Sequence, residues 1–205
     1  PYSGEMYNIH FTYLNTPLQA TPEHPLFVVK EGWRWNWRNH YGGVKEDALS
    51  WVKCKDIAPG DFIGFPRNYQ TTDLSIINNE MAELIGWYLA EGSKTEERIT
   101  ISLGYHEKEH IERVVFLMQH LFGKRPKLYE RATSLHICQA DQEFTAIFDT
   151  MGNGALEKRL PAWALYLPIS KQALILKSLF AGDGHYSPSG VVYATSSVQL
   201  AYQIH

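Results

Sequence analysis

Two acidic residues, each followed directly by glycine, are the strongest chemical signal in this sequence: Glu91-Gly92 and Asp183-Gly184. Each pair closes a largely apolar stretch, LIGWYLAEGS in the first copy and LKSLFAGDGH in the second. A helix that ends at the glycine puts the carboxylate at the negative pole of the helix dipole, where an acid is disfavoured. A divalent cation would offset that penalty, so we predict that Glu91 and Asp183 bind Mg²⁺ or a similar cation.

Small residues spaced four apart precede both acids, at Gly86 and Ala90 in the first copy and at Ser178 and Gly182 in the second. On a helix this spacing gives one nearly bare face. Two such faces can approach more closely than the roughly 8 to 10 Å that usually separates packed helices. The pattern therefore predicts that the two helices pair and bring the carboxylates side by side. The alternative is a pair of ordinary amphipathic helices with surface acids.

Composition narrows the class of protein. The 205 residues are 44% hydrophobic, which is enough for a substantial core, and the formal net charge is -3. A nucleic-acid ligand would therefore need local basic patches, because the net charge does not attract it. The sequence shows no signal peptide and no apolar run of membrane-spanning length, and two cysteines, Cys54 and Cys138, are too few for a disulfide scaffold. We expect an intracellular, cytoplasmic protein in a reducing compartment.

The first third of the chain predicts strands. Apolar and polar residues alternate over residues 7–13 and again over residues 33–38, and residues 26–29 form an apolar run. Asn15-Thr16-Pro17 predicts a turn, and Pro66 is expected to end the last strand of this region. Between the strands, the segment TPEHP presents Thr21 and His24 together in a loop, where the histidine could polarise a peptide bond or serve only structure.

Helices alternating with β-hairpins are predicted after the first acid. Ile99, Ile101 and Leu103 are predicted to face helices, while the residues between them point to the open face of a sheet. The basic run KRPKLYER continues that face. Such a surface suits a DNA major groove, although a solvated sheet face is the simpler alternative. The predicted DNA-binding residues are Lys94, Arg98, Thr100, Ser102, Lys127, Tyr129, Arg131, Ser134 and His136.

The paired motifs resemble those of the LAGLIDADG homing endonucleases, and Glu91 and Asp183 fall on the positions of that family's catalytic acids. Leu89 and Ala181 replace the earlier acid of the family name. The segment EKRLPAW also resembles a lysine-bearing block of intein endonucleases, which implies that Lys158 assists catalysis. A lysine in that place could polarise the attacking water or stabilise charge on the scissile phosphate.

Three segments in the first third of the chain resemble, in this order, the Hint domain of inteins: GEMYNI, TPEHPLFV and WVKCKDIAPGDFIGFPR. That resemblance implies splicing-associated roles for Thr21 and His24. The N-terminal nucleophile and the C-terminal His-Asn pair of the family are missing from this chain, which therefore resembles a fragment that does not splice by itself. The exteins of a host protein would be partners of the full-length precursor.

We accordingly expect an α+β chain: a partial all-β Hint domain over residues 1–68, a first αββαββα half over 79–152, a connector over 153–170, and the start of a second, pseudo-twofold half over 171–205. The expected function is that of an intein-encoded homing endonuclease, a monomeric pseudo-dimer that hydrolyses double-stranded DNA with Mg²⁺. The alternatives are a decayed module that only binds DNA or RNA, and an element that only splices.

Overall fold

The computed structural model describes residues 3–12, 14–30, 49–64, 70–187 and 190–204. The chain divides into two compact units, Pro1–Tyr69 and Gln70–His205. The first unit contains strands, and the second combines helices with antiparallel sheet, so the expected α+β class is confirmed. In the part of the chain described, no helix is long and apolar enough to cross a membrane.

The first unit has five described strands in two small antiparallel sheets. One sheet pairs β1 with β2, and the other has the order β4-β3-β5. The strands are β1 (Tyr7–Phe11), β2 (Leu14–Ala20), β3 (Pro25–Val29), β4 (Leu49–Lys53) and β5 (Phe62–Ile63).

The turn predicted at Asn15-Thr16-Pro17 is wrong, because these residues lie inside β2. Ile9 pairs with Leu18 and Phe11 with Leu14, so the three residues stand opposite His10 alone and form an irregularity in the ladder. Proline has no N–H to donate, and a bulge on an edge strand accommodates it. The predicted strand over residues 33–38 and the strand end at Pro66 lie outside the described residues.

The second unit begins with a sequence of elements that ends at a short helix near residue 145. These elements are α1 (Asn79–Glu91), β6 (Gly92–Lys94), β7 (Arg98–Gly104), α2 (Lys108–Phe122), β8 (Lys127–Glu130), β9 (Ser134–Ala140) and α3 (Gln142–Thr145). Short 3-10 helices then lead to α4 (Ile169–Asp183), β10 (Gly184–Ser187), β11 (Gly190–Tyr193) and α5 (Val198–Ile204).

Helix α1 is the centre of this unit's core. Asn78 caps it by accepting a 2.8 Å hydrogen bond from the Met81 N–H. Apolar residues on nearly every side of the helix are buried, which is typical of a helix enclosed by its neighbours. It contacts α2, β7 and α4, with α4 as its most extensive neighbour.

The four-stranded sheet has the order β6-β7-β9-β8, with every pair antiparallel. Ile99, Ile101 and Leu103 of β7 are buried toward the helices, as predicted from their alternation. The residues between them form the opposite, open face. The second, smaller sheet contains β10 and β11, in which Gly184 pairs with Tyr193.

Candidate cation site and sheet face

The two helices that carry the acids pack against each other through their small residues. A Cβ atom added to Gly86 would overlap the Ser178 hydroxyl and the Ile175 carbonyl and would lie 2.9 Å from the Leu179 nitrogen. One added to Gly182 would lie 2.6 Å from the Ala90 Cβ. The helix pairing predicted from Gly86, Ala90, Ser178 and Gly182 is therefore present in the structure.

Each acid is the last residue of its helix, and the glycine after it leads straight into a strand. Gly92 and Gly184 have extended backbones, with φ of -93° and -96°, so the expected helix-ending glycine conformation is not adopted. Glycine is needed here for space instead. A Cβ on Gly92 would overlap the Tyr88 carbonyl, and a Cβ on Gly184 would lie 2.5 Å from the Phe180 carbonyl.

Glu91 and Asp183 are the last residues of two packed helices, and both carboxylates are partly desolvated. Burial raises the pKa of Glu91, and the charges of Asp183 and Glu107 raise it further, while Lys158 opposes them. Burial also raises the pKa of Asp183, again against Lys158. A bound cation would favour both charged forms and relieve this destabilisation.

Lys158 lies beneath this acid pair and is buried, with only 4% of its surface exposed. Its Nζ donates 2.7 Å hydrogen bonds to the carbonyls of Tyr88 and Gly92 and lies 3.6 Å from the centre of the Tyr88 ring. Burial lowers the pKa of Lys158 to about 7, and the charges of Asp183 and Glu91 act in the opposite direction. In the described structure no ion pair joins this lysine to either carboxylate. Sequence reasoning identified the residue but not its role in holding the end of α1.

Helix α5 fixes the backbone around this lysine. The Ser197 hydroxyl donates to the Lys158 carbonyl at 2.5 Å and accepts from the Leu200 N–H at 3.1 Å, so it also caps the N-terminus of α5. The Gln203 side-chain amide accepts from the Leu160 N–H and donates to the Leu160 carbonyl, both at 2.7 Å. Ser197, which precedes α5, and Gln203 within it therefore hold the backbone of Lys158 and Leu160.

Tyr193 is a neighbour of the acids that sequence reasoning missed. It packs against Phe180, with ring centres 5.2 Å apart. Burial raises the pKa of Tyr193 to about 12, with the charges of Asp183 and Glu91 adding to it, while the Thr195 side chain acts in the opposite direction. No hydrogen bond of ordinary geometry reaches its buried hydroxyl among the described residues. The repeat contained the signal, because Tyr193 follows Gly184 by the same spacing at which Ile101 follows Gly92.

The open sheet face brings together most of the residues predicted to bind DNA. Directly paired residues of antiparallel strands share a face, and Thr100 pairs with Cys138, Ser102 with His136, and Tyr129 with His136. Arg131 lies one position beyond β8, in the connection to β9. The residues on this face or at its rim are Arg98, Thr100, Ser102, Lys127, Tyr129, Arg131, Ser134 and His136.

Lys94 does not join this face, which corrects its place among the predicted DNA-binding residues. It pairs with Ile99, whose side chain is buried on the helix side of the sheet. Its ammonium forms an ion pair with Asp149, and its backbone N–H donates to the Asn153 side chain at 2.6 Å. A strand of only three residues begins at Gly92, and this register decides on which side Lys94 lies.

Thr21 and His24 lie in the first unit, where they flank a tight turn. The His24 N–H donates to the Thr21 carbonyl at 3.0 Å, and the His24 carbonyl accepts from the Cys54 N–H at 2.9 Å. The histidine is exposed. These contacts give both residues a structural role in joining the turn to the end of β4.

A metal at the acid pair would have few protein ligands. In the part of the chain that the structure describes, no group of three or more His, Cys, Asp or Glu side chains could hold a metal ion. Mg²⁺ commonly uses one or two carboxylates and fills its remaining positions with water and substrate phosphate. The donor set at Glu91 and Asp183 fits that mode of binding and no closed protein cage.

Comparison with known proteins gives distant relatives. No protein-family model matches the chain. It is 24% identical to an uncharacterized protein of Methanocaldococcus jannaschii, 25% to an iron-sulfur cluster assembly SufBD family protein of Mycobacterium bovis, and 26% to a replication factor C small subunit of Pyrococcus horikoshii. These alignments cover 93%, 98% and 94% of this chain but 30%, 26% and 20% of the relatives, so the chain spans less than a third of their length.

These names correct the function predicted from the sequence. They refer to iron-sulfur cluster assembly and to a replication factor, and they contradict an intein-encoded homing endonuclease. The alternative of an element that only splices is set aside with it. The splicing roles of Thr21 and His24 depended on the same resemblance and are not carried forward.

Proposed function

We propose that the unit Gln70–His205 binds nucleic acid on the open face of its four-stranded sheet and holds a divalent cation, Mg²⁺ or a similar ion, between Glu91 and Asp183. The observation that carries the proposal is the meeting of two desolvated carboxylates at the ends of helices packed through Gly86 and Gly182. A cation held there would keep positions open for phosphate oxygens. The replication factor named among the relatives agrees with a nucleic-acid ligand.

Duplex DNA is the ligand that the sheet suits best. Its open face combines Arg98 and Lys127 with hydroxyl, imidazole and phenol groups, which can contact both phosphates and base edges. The order of elements from α1 to α3 follows the αββαββα pattern. We therefore also propose the LAGLIDADG type of fold for this part of the chain, and a Hint-type fold for the strands of the first unit, as statements about architecture alone.

Cation binding is tested by calorimetric titration of the chain with Mg²⁺ and Mn²⁺. Glu91→Gln and Asp183→Asn should each lower the affinity at least about tenfold, because an amide keeps the shape of the side chain and loses its charge. At neutral pH both variants should also unfold at higher temperature, since a carboxylate with a raised pKa destabilises the fold above that pKa. Glu109→Gln, at an exposed acid on α2, is the matched control. Parent-like Mg²⁺ affinity in the double variant would overturn the cation site.

Nucleic-acid binding is tested by gel shift with duplex DNA over a range of salt concentrations. Lys127→Ala and Arg131→Ala should each weaken binding and reduce the salt slope by about one for each phosphate that the variant no longer neutralises. Lys177→Ala removes an exposed lysine from α4 and should leave the slope unchanged. Equal slopes in all variants would show that the sheet face does not contact the duplex.

Lys158 favours a second candidate, a hydrolase acting on DNA. A lysine with a pKa lowered to about 7 beside two carboxylates can exchange a proton with a water near neutral pH. Plasmid DNA incubated with the chain and Mg²⁺ should then become nicked, and Lys158→Met should lose that activity while keeping duplex binding. If the chain binds the plasmid at saturating Mg²⁺ and leaves it intact, this candidate is eliminated and binding alone remains.

A further inference from the structure

An open pocket of about 190 Å³ lies at one corner of the four-stranded sheet, where β7 begins and β9 ends. Four cationic side chains line it: Arg98, Lys124, Arg125 and Lys127. Arg98 comes from β7, Lys127 from β8, and the other two from the loop that joins α2 to β8. Of the described residues that line the pocket, none is acidic.

The loop that supplies Lys124 and Arg125 is held at both ends. Gly123 ends α2 in the left-handed region, with φ of 66°, and no atom would lie within 4 Å of a Cβ at that position. Pro126 is buried between Arg125 and Lys127. Within the described structure, none of the four cations forms an ion pair. Like charges kept together without acids repel one another, and a bound anion would remove that repulsion.

The strand register places the cations of β7 and β8 on the open face of the sheet. Arg98 pairs with Ala140 and Lys127 with Cys138, and Ala140 and Cys138 alternate on one face of β9. Gln139 also lines the pocket but pairs with Ile99, whose side chain is buried on the helix side, so the Gln139 amide lies behind the sheet. The cationic side chains therefore point to an anionic ligand.

We propose that this pocket binds a phosphate group. Its volume equals that of about six water molecules, below the roughly 300 Å³ of typical pockets for drug-sized ligands, and suits a hydrated phosphate. Guanidinium groups and lysine ammonium groups are the usual protein partners of phosphate. This inference deepens the proposed nucleic-acid binding and rests on it for one source of the phosphate, the backbone of a bound strand. The other source is the terminal phosphate of a nucleotide.

Cys138 supplies a reporter inside the pocket. It is a free thiol that lines the pocket and is partly exposed, whereas Cys54, the other free cysteine, is 2% exposed. The rate at which neutral iodoacetamide alkylates Cys138 should fall at least about fivefold when phosphate fills the site. The probes are inorganic phosphate, a 5′-mononucleotide and a duplex without terminal phosphates, all at constant ionic strength set with chloride.

The variants separate a specific site from general charge attraction. In the Lys124→Ala, Arg125→Ala double variant, protection by inorganic phosphate should disappear, whereas the Lys108→Ala, Lys177→Ala double variant removes two exposed lysines elsewhere and should keep it. Protection that saturates in the parent and is lost only in the first variant supports the proposal. Absence of protection, or equal protection in both double variants, overturns it.

A parallel gel shift with the same duplex separates this inference from the proposed function. A shifted duplex that protects Cys138 identifies backbone phosphate as a source, and a shifted duplex that leaves the thiol reactive, beside protection by the mononucleotide, identifies the terminal phosphate. A duplex shift without protection by any probe rejects the pocket and keeps nucleic-acid binding. Protection by inorganic phosphate without a duplex shift keeps the pocket and rejects the proposed function.

Discussion

The two copies of the acid motif share a frame and differ in what surrounds it. In both, a helix ends in an acid, glycine enters a strand, and a second strand pairs back: Gly92 with Ile101 in the first copy and Gly184 with Tyr193 in the second. The first copy has Tyr88 four residues before its glycine, and the second has Phe180. The two copies therefore share a backbone arrangement and differ in their side chains. Lys158 lies at the end of α1, and the phenol of Tyr193 packs beside α4.

The lysine is the clearest difference. Lys158 donates to the two carbonyls at the end of α1, whereas among the described residues no side chain donates to the Phe180 carbonyl at the end of α4. The positive charge of Lys158 therefore lowers the pKa of both Glu91 and Asp183. The repeat therefore explains why the two acids approach each other, while the differences between its copies determine which side chains surround each acid.

The largest effect is expected from closing the gap between the helices. Gly86→Ala should lower the free energy of unfolding by at least about 3 kcal/mol, because the added Cβ would meet the backbone at Ile175 and Leu179. Gly182→Ala should cost less, about 1 to 3 kcal/mol, since it meets only the Ala90 side chain in close contact. Urea denaturation measures both values.

Gly154→Ala is the control for these helix variants. Nothing lies within 4 Å of its added Cβ and its backbone is extended, so its stability should stay within about 1 kcal/mol of the parent. If Gly86→Ala proved as stable as this control, the close approach of α1 and α4 would be wrong.

The next effect concerns the pH dependence of stability. In an unfolded chain a lysine holds its proton to about pH 10.5, whereas folded Lys158 releases it near pH 7, so the unfolded state binds more protons between these values. The free energy of unfolding should therefore rise with pH in this window by about 1 kcal/mol per pH unit from this residue. Lys158→Met should lose that rise.

Lys177→Met serves as the comparison, since Lys177 is exposed on the helix of the other copy. Denaturation at pH 7, 8 and 9 gives the slope for each protein. The same slope in Lys158→Met and Lys177→Met would show that the buried lysine keeps its proton through this range.

The smallest effect is expected from removing the hydroxyl group of each of two tyrosines. Tyr193→Phe removes a buried hydroxyl that has no hydrogen bond of ordinary geometry among the described residues, and should stabilise the fold by about 1 kcal/mol. Tyr88→Phe makes the first copy resemble the second and should destabilise by about 1 kcal/mol, because the Tyr88 hydroxyl donates to the Gly152 carbonyl at 2.8 Å. Thermal unfolding at pH 7 measures the stability of both variants. If both became more stable, or both less stable, the proposed difference between the copies would be wrong.

Local patterns in the sequence predicted much of the second unit. The alternation in β7 identified its buried face, and the small residues of both motifs identified the face on which α1 and α4 meet. Each depends on neighbours within a few positions, for which helix and strand periods are reliable guides.

Features set by distant partners were missed. Pro17 lies in a strand because β1 is available to pair around it, and Lys94 turns away from the open face because β6 pairs in a register that only β7 defines. The Lys158 carbonyl accepts from Ser197, which follows it by 39 residues, and Tyr193 approaches the acids through its pairing with Gly184. The local periodicity of the sequence does not reveal contacts between residues that are distant along the chain.

The docking of α5 links the freedom of Lys158 to a cooperative event. The Gln203 amide bonds both backbone groups of Leu160, as a neighbouring strand would. The seven described residues of α5 are too few to persist as an isolated helix in water, so their contacts with Leu160 and Lys158 stabilise them. Local unfolding of these two helical turns would release Ser197 and Gln203 together, and the segment that holds the lysine would gain its mobility in a single step.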